Sequence, residues 1–387
     1  ENREQMTVLL NSVWNTIVAD ISKSRKLSVA QLNAIANTLG ARTPELALAN
    51  KLVDKVAYED EYHDMIRAKL KVDKKEKYDI VSITDYAKKA SSTVEDYSKN
   101  DIIAVIYAQG EIAGGEGDVN VIGEGSIKRS LQEAREDKDV KAIVLRVNSP
   151  GGSALTSELI WREIEITKKV KPVVVSMGNY AASGGYYIAA NADRIFAEPN
   201  TITGSIGVFG MLPNMNQLGK NIGINAEQVK THENASGYSV FEPIDENFKG
   251  FVLESIEKTY ATFLKRVADG RKMTTAQVDA IAQGRVWTGV DAHKLGLVDE
   301  IGGLDAAIKY AAKLGKTSSY RTENYPEYEK SFEDMLANFT GMAMFKTKEQ
   351  LLKEQLGEEG FQMLEQIKRV KSRKGIQAIM PYEIQIH

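Results

Sequence analysis

Twelve residues of this chain occur twice, and the two occurrences constrain how the rest can be organised. Residues 25–36 read RKLSVAQLNAIA and residues 271–282 read RKMTTAQVDAIA, identical at seven of twelve positions. The likeness continues outward. Leu52-Val53-Asp54 answers Leu297-Val298-Asp299, and Glu1-Asn2 aligns with Glu246-Asn247. Self-similarity at a fixed offset marks a repeated structural unit. Two generic amphipathic helices would share a periodicity, but not the string RK-x-x-x-AQ-x-x-AIA. Tandem duplication is the reading that accounts for both.

On that reading, residues 1–70 are the helical tail of a first copy whose front is missing from this sequence. Residues 71–100, rich in Lys, Asp, Ser and Tyr, form a connector, and 101–315 make a complete second copy. Residues 316–387 are a charged, partly helical extension, with helical spacing across 347–370. Its Lys/Arg cluster at 368–374 reads as a solvated face or a subunit contact.

Within 101–315 the patterns alternate. Ile102–Ala108 is a β-branched run followed by a glycine-rich loop at 110–125, and Ser126–Glu136 has helical spacing. Ala142–Val147 is a buried strand, Ala154–Lys169 an amphipathic helix, Val173–Met177 the next strand and Arg194–Ala197 a short one. Apolar residues recur at helical spacing from Phe248 to Ala268. Repeated β-α-β units imply an α/β fold, a parallel sheet with helices packed outside it.

The stretch that speaks to chemistry is Gly178-Asn-Tyr-Ala-Ala-Ser183-Gly184-Gly185-Tyr-Tyr-Ile188. It places a serine hydroxyl at a strand-to-helix corner beside bare backbone amides. Acyl transfer needs such donors, because charge developing on a carbonyl oxygen is best met by preorganised N–H groups. A plain alternative is a tight glycine turn with Ser183 as helix N-cap. A second glycine pair, in Asn148-Ser149-Pro150-Gly151-Gly152-Ser153, follows the preceding strand. Ligands favour the C-terminal ends of parallel strands, so Gly151 and Gly152 are expected to face Ser183 and Gly184 across one crevice. Amides of Gly152 and Gly184 would then form an oxyanion hole. A third corner, Thr201-Ile-Thr203-Gly-Ser205-Ile-Gly207, adds hydroxyls that either orient a base or merely satisfy loop backbone.

A serine nucleophile needs a proton acceptor. His232 stands among Thr231, Glu233, Asn234 and Ser236, a polar loop that is a poor setting for a Ser–His pair. A lysine can serve when burial lowers its pKa from about 10.4 by about 3–5 units.

Composition removes other chemistries. The chain has no cysteine, and its four histidines (His63, His232, His293, His387) lack metal-ligand spacing. Neither a thiol nucleophile nor a histidine-rich metal site is expected, and no cofactor motif is present. A net charge of −3 with 27% charged residues gives no electrostatic footprint for nucleic acid. Pro172 to Ala192 carries no charge over a bilayer-spanning length. Its Asn179, Asn191, serines and paired glycines nonetheless mark a buried strand and corner.

The strings NSPGGS, SMGNYAASGGYYIAANAD, TITGSIGVFG and GRVWTGVDAHKLGLVDEIG, in this order, resemble the signal peptide peptidase A family of serine peptidases, within the ClpP/crotonase superfamily. The duplication resembles the family's long, two-copy form. The resemblance implies a Ser–Lys dyad with Ser183 as nucleophile, amides of Gly151, Gly152 and Gly184 as oxyanion hole, and Ser205 orienting the lysine. In the one-copy form that lysine lies in the loop after the segment matching Glu227–Lys230. Here that loop reads Thr-His-Glu-Asn-Ala-Ser-Gly, and Lys230 sits too early. In the long form the first copy supplies the lysine, at a position that the repeat offset places before Glu1. The base is therefore expected outside this chain, and the chain alone is expected to be inactive or nearly so. The resemblance further implies cleaved signal peptides as substrates, a ring of identical subunits, a membrane anchor absent from these residues, and an extracytoplasmic catalytic face. Two rivals stand beside it. A crotonase-type acyl-CoA enzyme would share the two-amide hole without needing a serine nucleophile, and a non-catalytic assembly scaffold would need neither.

Overall fold

A computed structural model describes residues 2–73, 76–92, 100–232, 235, 238–326, 361 and 377–380. The chain divides into two compact units, residues 1–99 and 100–387.

The first unit is helical: α1 (Asn2–Arg25), α2 (Val29–Asn37), α3 (Pro44–Ala49), α4 (Glu59–Leu70) and α5 (Ile83–Ser92). The last of these lies inside the stretch read as a connector. Ser28 and Gln31 close a capping box at the start of α2, the sequence pattern that ends a loop and starts a helix. Arg25 donates to Asp54 (2.9 and 3.2 Å) and to the Lys51 carbonyl (2.9 Å), clasping the end of α1 to the turn after α3.

The second unit begins with β1 (Asp101–Gln109), short strands β2 (Glu111–Ile112), β3 (Gly117–Asp118) and β4 (Val121–Ile122), and helix α6 (Glu124–Glu136). Next come β5 (Val140–Ser149), β6 (Gly151–Ser153), α7 (Ala154–Lys168), β7 (Val173–Ala182), α8 (Gly184–Ala189), β8 (Arg194–Ala197) and β9 (Ile202–Gly204). Helices α9 (Asn216–Asn221), α10 (Glu246–Arg271) and α11 (Thr275–Ile281) lead to β10 (Val286–Thr288) and α12 (Gly289–Lys294). The remaining elements are β11 (Glu300–Ile301), α13 (Leu304–Leu314), β12 (Tyr320–Tyr325) and β13 (Gln377–Ile379).

The main sheet runs β10-β9-β7-β5-β1-β12, with β8 paired to β7 and β11 to β8. All of these pairs are parallel except β9 with β10. Its central strands are mostly apolar because both faces are covered. Ile102, Ala104 and Ile106 face one core with Ile160 and Ile164 of α7 and Phe263 of α10. Ile103 and Val105 face the other, against Ala307 and Ala311 of α13. This period-two alternation is the pleat of the strand. The α/β reading with a parallel sheet therefore holds.

The structure repeats the sequence repeat. Thr274 and Gln277 form the same capping box at α11 that Ser28 and Gln31 form at α2. Arg271 clasps Asp299 (2.6 and 3.0 Å) and the Gly296 carbonyl (2.9 Å), as Arg25 clasps Asp54 and Lys51. Lys26 and Lys272 both adopt φ of +56° after the long helix.

Two boundaries differ from the sequence reading. The second unit does not close at residue 315, because β12 pairs with β1 along its outer edge and β13 pairs with β6. An edge strand such as Tyr-Arg-Thr-Glu-Asn-Tyr is half-solvated and polar, so it lacks the apolar run that announces a central strand. Strand β7 also continues past Met177 to Ala182. It changes partner on the way, pairing with β8 at 174–176 and with β9 at 180–182. The helical spacing at 347–370 and the basic cluster at 368–374 lie outside the described residues, Phe361 apart.

Candidate active site

The extension of β7 decides where Ser183 sits. Gly178 makes it possible, since a methyl there would fall 2.8 Å from Asn148 Oδ1 and 3.0 Å from Asn148 Cβ. Asn148 Oδ1 also accepts from the Tyr180 N–H (3.2 Å), holding the strand extended beyond its β8 partner. Thr201 and Thr203 donate to the carbonyls of Gly178 (2.8 Å) and Ala181 (2.7 Å). Those two hydroxyls of the third corner thus satisfy backbone and brace β7.

At the end of this strand Ser183 takes φ +52°, ψ −116°. A non-glycine residue with positive φ is strained by about 1–3 kcal/mol, and such residues cluster at functional sites. Ser183 thus stands at a sharp strand-to-helix turn, the backbone setting in which a nucleophile elbow is built. The N-cap alternative fails, since the Ser183 side chain makes no capping bond to α8. Its hydroxyl instead leans toward the Gly207 carbonyl (3.5 Å), and its N–H donates to the Gly204 carbonyl (2.8 Å). Helix α8 has six residues, so the local Gly184 amide, rather than a helix macrodipole, is the electrostatic feature. Tyr187 anchors that helix from below, donating to Glu158 Oε2, which also accepts from Arg266.

The two glycine corners meet. A methyl added at Gly151 would lie 2.8 Å from the Gly184 nitrogen and 3.0 Å from Ser183 Cβ; one at Gly184 would lie 3.2 Å from the Gly152 nitrogen. Gly151 has φ +105°, a conformation only glycine adopts readily. Its amide is engaged within its own corner, where the Gly151 N–H donates to Ser149 Oγ (3.2 Å), so of the three expected donors only Gly152 and Gly184 remain candidates. Neither Ser149 nor Ser157, whose Oγ lies 2.7 Å from the position of a Gly184 methyl, was singled out by the sequence. Lone serines give no periodic or motif signal.

Ser205 follows β9 with φ +47°, its N–H fixed by the Arg285 carbonyl (2.7 Å). It is buried beside the corner whose Gly204 and Gly207 carbonyls bracket Ser183. The basic candidates stand elsewhere. His232 is exposed and bonds to its neighbour Thr231 (3.2 Å), and Lys230 is exposed. No group of described His, Asp and Glu residues could hold a metal ion.

Ser183 is fully buried, where an open crevice was expected. The cover is not core side chains alone. Strand β13 lies antiparallel along β6, with Ala378 opposite Gly152. On its other edge Gln377 and Phe209 exchange both backbone bonds (3.0 Å each). The Ala378 carbonyl oxygen comes within 2.2 Å of where a Gly151 methyl would be and 3.0 Å of where a Gly184 methyl would be. A carbonyl oxygen therefore rests between the glycine corners.

Comparison with known proteins settles the family. The profile of peptidase family S49 matches residues 1–73 and 165–318. The chain belongs to peptidase family S49. It is 37% identical over 326 residues to Protease 4 of Haemophilus influenzae, covering 81% of this chain and 52% of that protein. Protease 4 of Salmonella typhi is 37% identical over 348 residues (88% and 55%). The chloroplastic serine protease SPPA of Arabidopsis thaliana is 35% identical over 316 residues (80% and 46%). The chain thus spans about half the length of these relatives. A ClpP1 mutant from Listeria monocytogenes aligns with 58% of the chain at 15% identity and a TM-score of 0.36. Membership of a peptidase family leaves the acyl-CoA reading without support.

Proposed function

We propose that this chain carries the acylating centre of an S49 serine peptidase acting on peptides, with cleaved signal peptides as the substrate class. Ser183 is the nucleophile in this reading. The N–H groups of Gly152 and Gly184 stabilise the tetrahedral oxyanion, Gly151 lets the two corners approach, and Ser205 orients the base. A neutral lysine takes the Ser183 proton and the oxygen attacks a peptide carbonyl. The same lysine returns the proton to the departing amine, and water then hydrolyses the acyl ester. Removal of one oxyanion donor from such a centre costs about 10²–10³-fold in turnover.

The observation that carries this reading is the strained Ser183 standing within one side-chain volume of two glycine amide corners. The lysine is assigned to residues outside this sequence, since residues 231–240 contain none and Lys230 is exposed. Assembly into a ring and attachment to a membrane belong to the same proposal. No helix among the described residues is long and apolar enough to cross a membrane.

A fluorophosphonate probe followed by peptide mass mapping tests the assignment. One adduct is expected, on Ser183, formed slowly in the chain alone and absent in Ser183→Ala. An adduct on another residue overturns the nucleophile. Fast peptide turnover by the chain alone overturns the external lysine.

A further inference from the structure

We propose that the cavity between the C-terminal ends of β1, β5 and β7 is a second binding site, for a monoanionic carboxylate held by Arg146. The site shares no residue with the peptidase centre.

Cross-strand pairing builds the cavity. Tyr107 lies opposite Arg146 and Gln109 opposite Asn148, while Arg146 lies opposite Ser176 on β7. Side chains alternate along a strand, so Tyr107 and Gln109 continue the face on which Ile103 and Val105 pack against α13. Further along the strands the same face turns polar. Tyr107, Gln109, Arg146, Asn148, Gly178 and Asn179 line a cavity of about 160 Å³, at the end of a parallel sheet where ligands gather. A space of about 150 Å³ takes a molecule the size of benzene.

Arg135, Arg194, Arg266 and Arg271 of the same unit each hold a carboxylate. The half-buried Arg146 forms no ion pair among the described residues. Its Nη1 donates to Ser176 Oγ (2.8 Å) and to the Met177 carbonyl (2.7 Å). Those bonds fix the guanidinium against β7 and leave its Nε–Nη2 edge without a partner among the described residues. That edge is a fork that takes a carboxylate through two parallel bonds. Burial pulls the Arg146 pKa below its ordinary value, and the Glu198 charge offsets this only in part. A cation drawn out of water without a counter-charge is costly, and an anion seated beside it removes that cost. Asn148 Oδ1 accepts from the Tyr180 N–H (3.2 Å), so Nδ2 remains as its donor, and Gln109, Asn179 and the Tyr107 hydroxyl can supply others. One guanidinium within reach of the Glu198 charge suits a single negative charge better than the double charge of a phosphate. A short free carboxylate and an acidic side chain of a second copy both carry that group.

Fluorine NMR of trifluoroacetate titrated against the full chain tests the site, with neutral trifluoroacetamide as the uncharged counterpart and inorganic phosphate as competitor. Saturable binding of trifluoroacetate is expected, and at least about tenfold weaker binding in Arg146→Gln, the loss that follows from removing a charged hydrogen bond. Gln109→Glu and Asn179→Asp put a carboxylate at exposed positions of the lining and keep Arg146. They should weaken binding as much, and they serve even where Arg146→Gln fails to fold. A dissociation constant independent of protein concentration assigns the site to free carboxylates, and one that rises with protein concentration assigns it to an acidic side chain of a second copy. No saturable binding to the unaltered chain, or equal binding in the folded variants, overturns the site. Trifluoroacetamide bound as tightly as trifluoroacetate overturns the role of charge, and phosphate displacing trifluoroacetate at equal concentration overturns the monoanion class. Labelling of Ser183 is untouched by any of these results, so this site and the peptidase reading fail separately.

Discussion

Two glycines with nearly the same φ and different surroundings allow the close approach at the site to be measured. Gly151 has φ +105° and Gly115 has φ +107°. A methyl at Gly115 meets nothing within 4 Å, whereas one at Gly151 falls 2.2 Å from the Ala378 oxygen, 2.8 Å from the Gly184 nitrogen and 3.0 Å from Ser183 Cβ. Both alanine variants carry the conformational penalty of a left-handed residue, about 1–2 kcal/mol. Only Gly151→Ala adds overpacking against main chain, about 1–3 kcal/mol. Gly115→Ala should therefore lose about 1–2 kcal/mol and Gly151→Ala about 2–5 kcal/mol. Urea unfolding of the second unit, read from Trp161 and Trp287 in a Trp14→Phe background, supplies both values. Unfolding midpoints and slopes that coincide for the two variants would refute the claim that the corners touch.

Further expectations concern the scaffold. Arg271 is nearly enclosed, with side-chain exposure of 7% against 21% for its partner Asp299. Arg271→Leu should destabilise the second unit by about 3 kcal/mol in the same urea assay, because it strands a half-buried carboxylate. The corresponding Arg25→Leu change should cost less, since Asp54 is 89% exposed. Burial, and then the Asp279 carboxylate that accepts from Tyr260 Oη at 2.6 Å, push the Tyr260 phenol up to about 12. Its folded pKa lies above the unfolded value of about 10, so its contribution is whole below pH 10 and is lost as pH climbs to about 12. Tyr260→Phe should flatten that alkaline decline, measured as melting temperature from pH 9 to 12.

The central sheet was legible because apolar, β-branched runs such as Ala142–Val147, interrupted only by Arg146, have one stable home, between two covered faces. The repeat was legible for a similar reason: a capping box and an Arg–Asp clasp leave fixed residues at fixed spacings. The meeting of the Ser183 corner with the Gly151-Gly152 corner was readable too, as glycine pairs after two successive strands. What escaped was set by tertiary partners. Residues Tyr320–Tyr325 form a strand because β1 has a vacant edge, not because of their own pattern. Gly151 and Gly152 look equivalent in sequence, and only the Ser149 hydroxyl distinguishes their amides. The segment Gln377–Met380 is too short to carry a periodic signal. Its strand state comes entirely from Gly151–Ser153 and Phe209 on either side.

The twin clasp suggests portability. Arg25 to Asp54 and Arg271 to Asp299 enclose helix–turn cassettes with matching caps and matching left-handed residues, so each holds its own shape from within. A chimera carrying residues 25–54 in place of 271–299 keeps the latch and the caps, and what it must relearn is only the apolar side chains turned toward a different host.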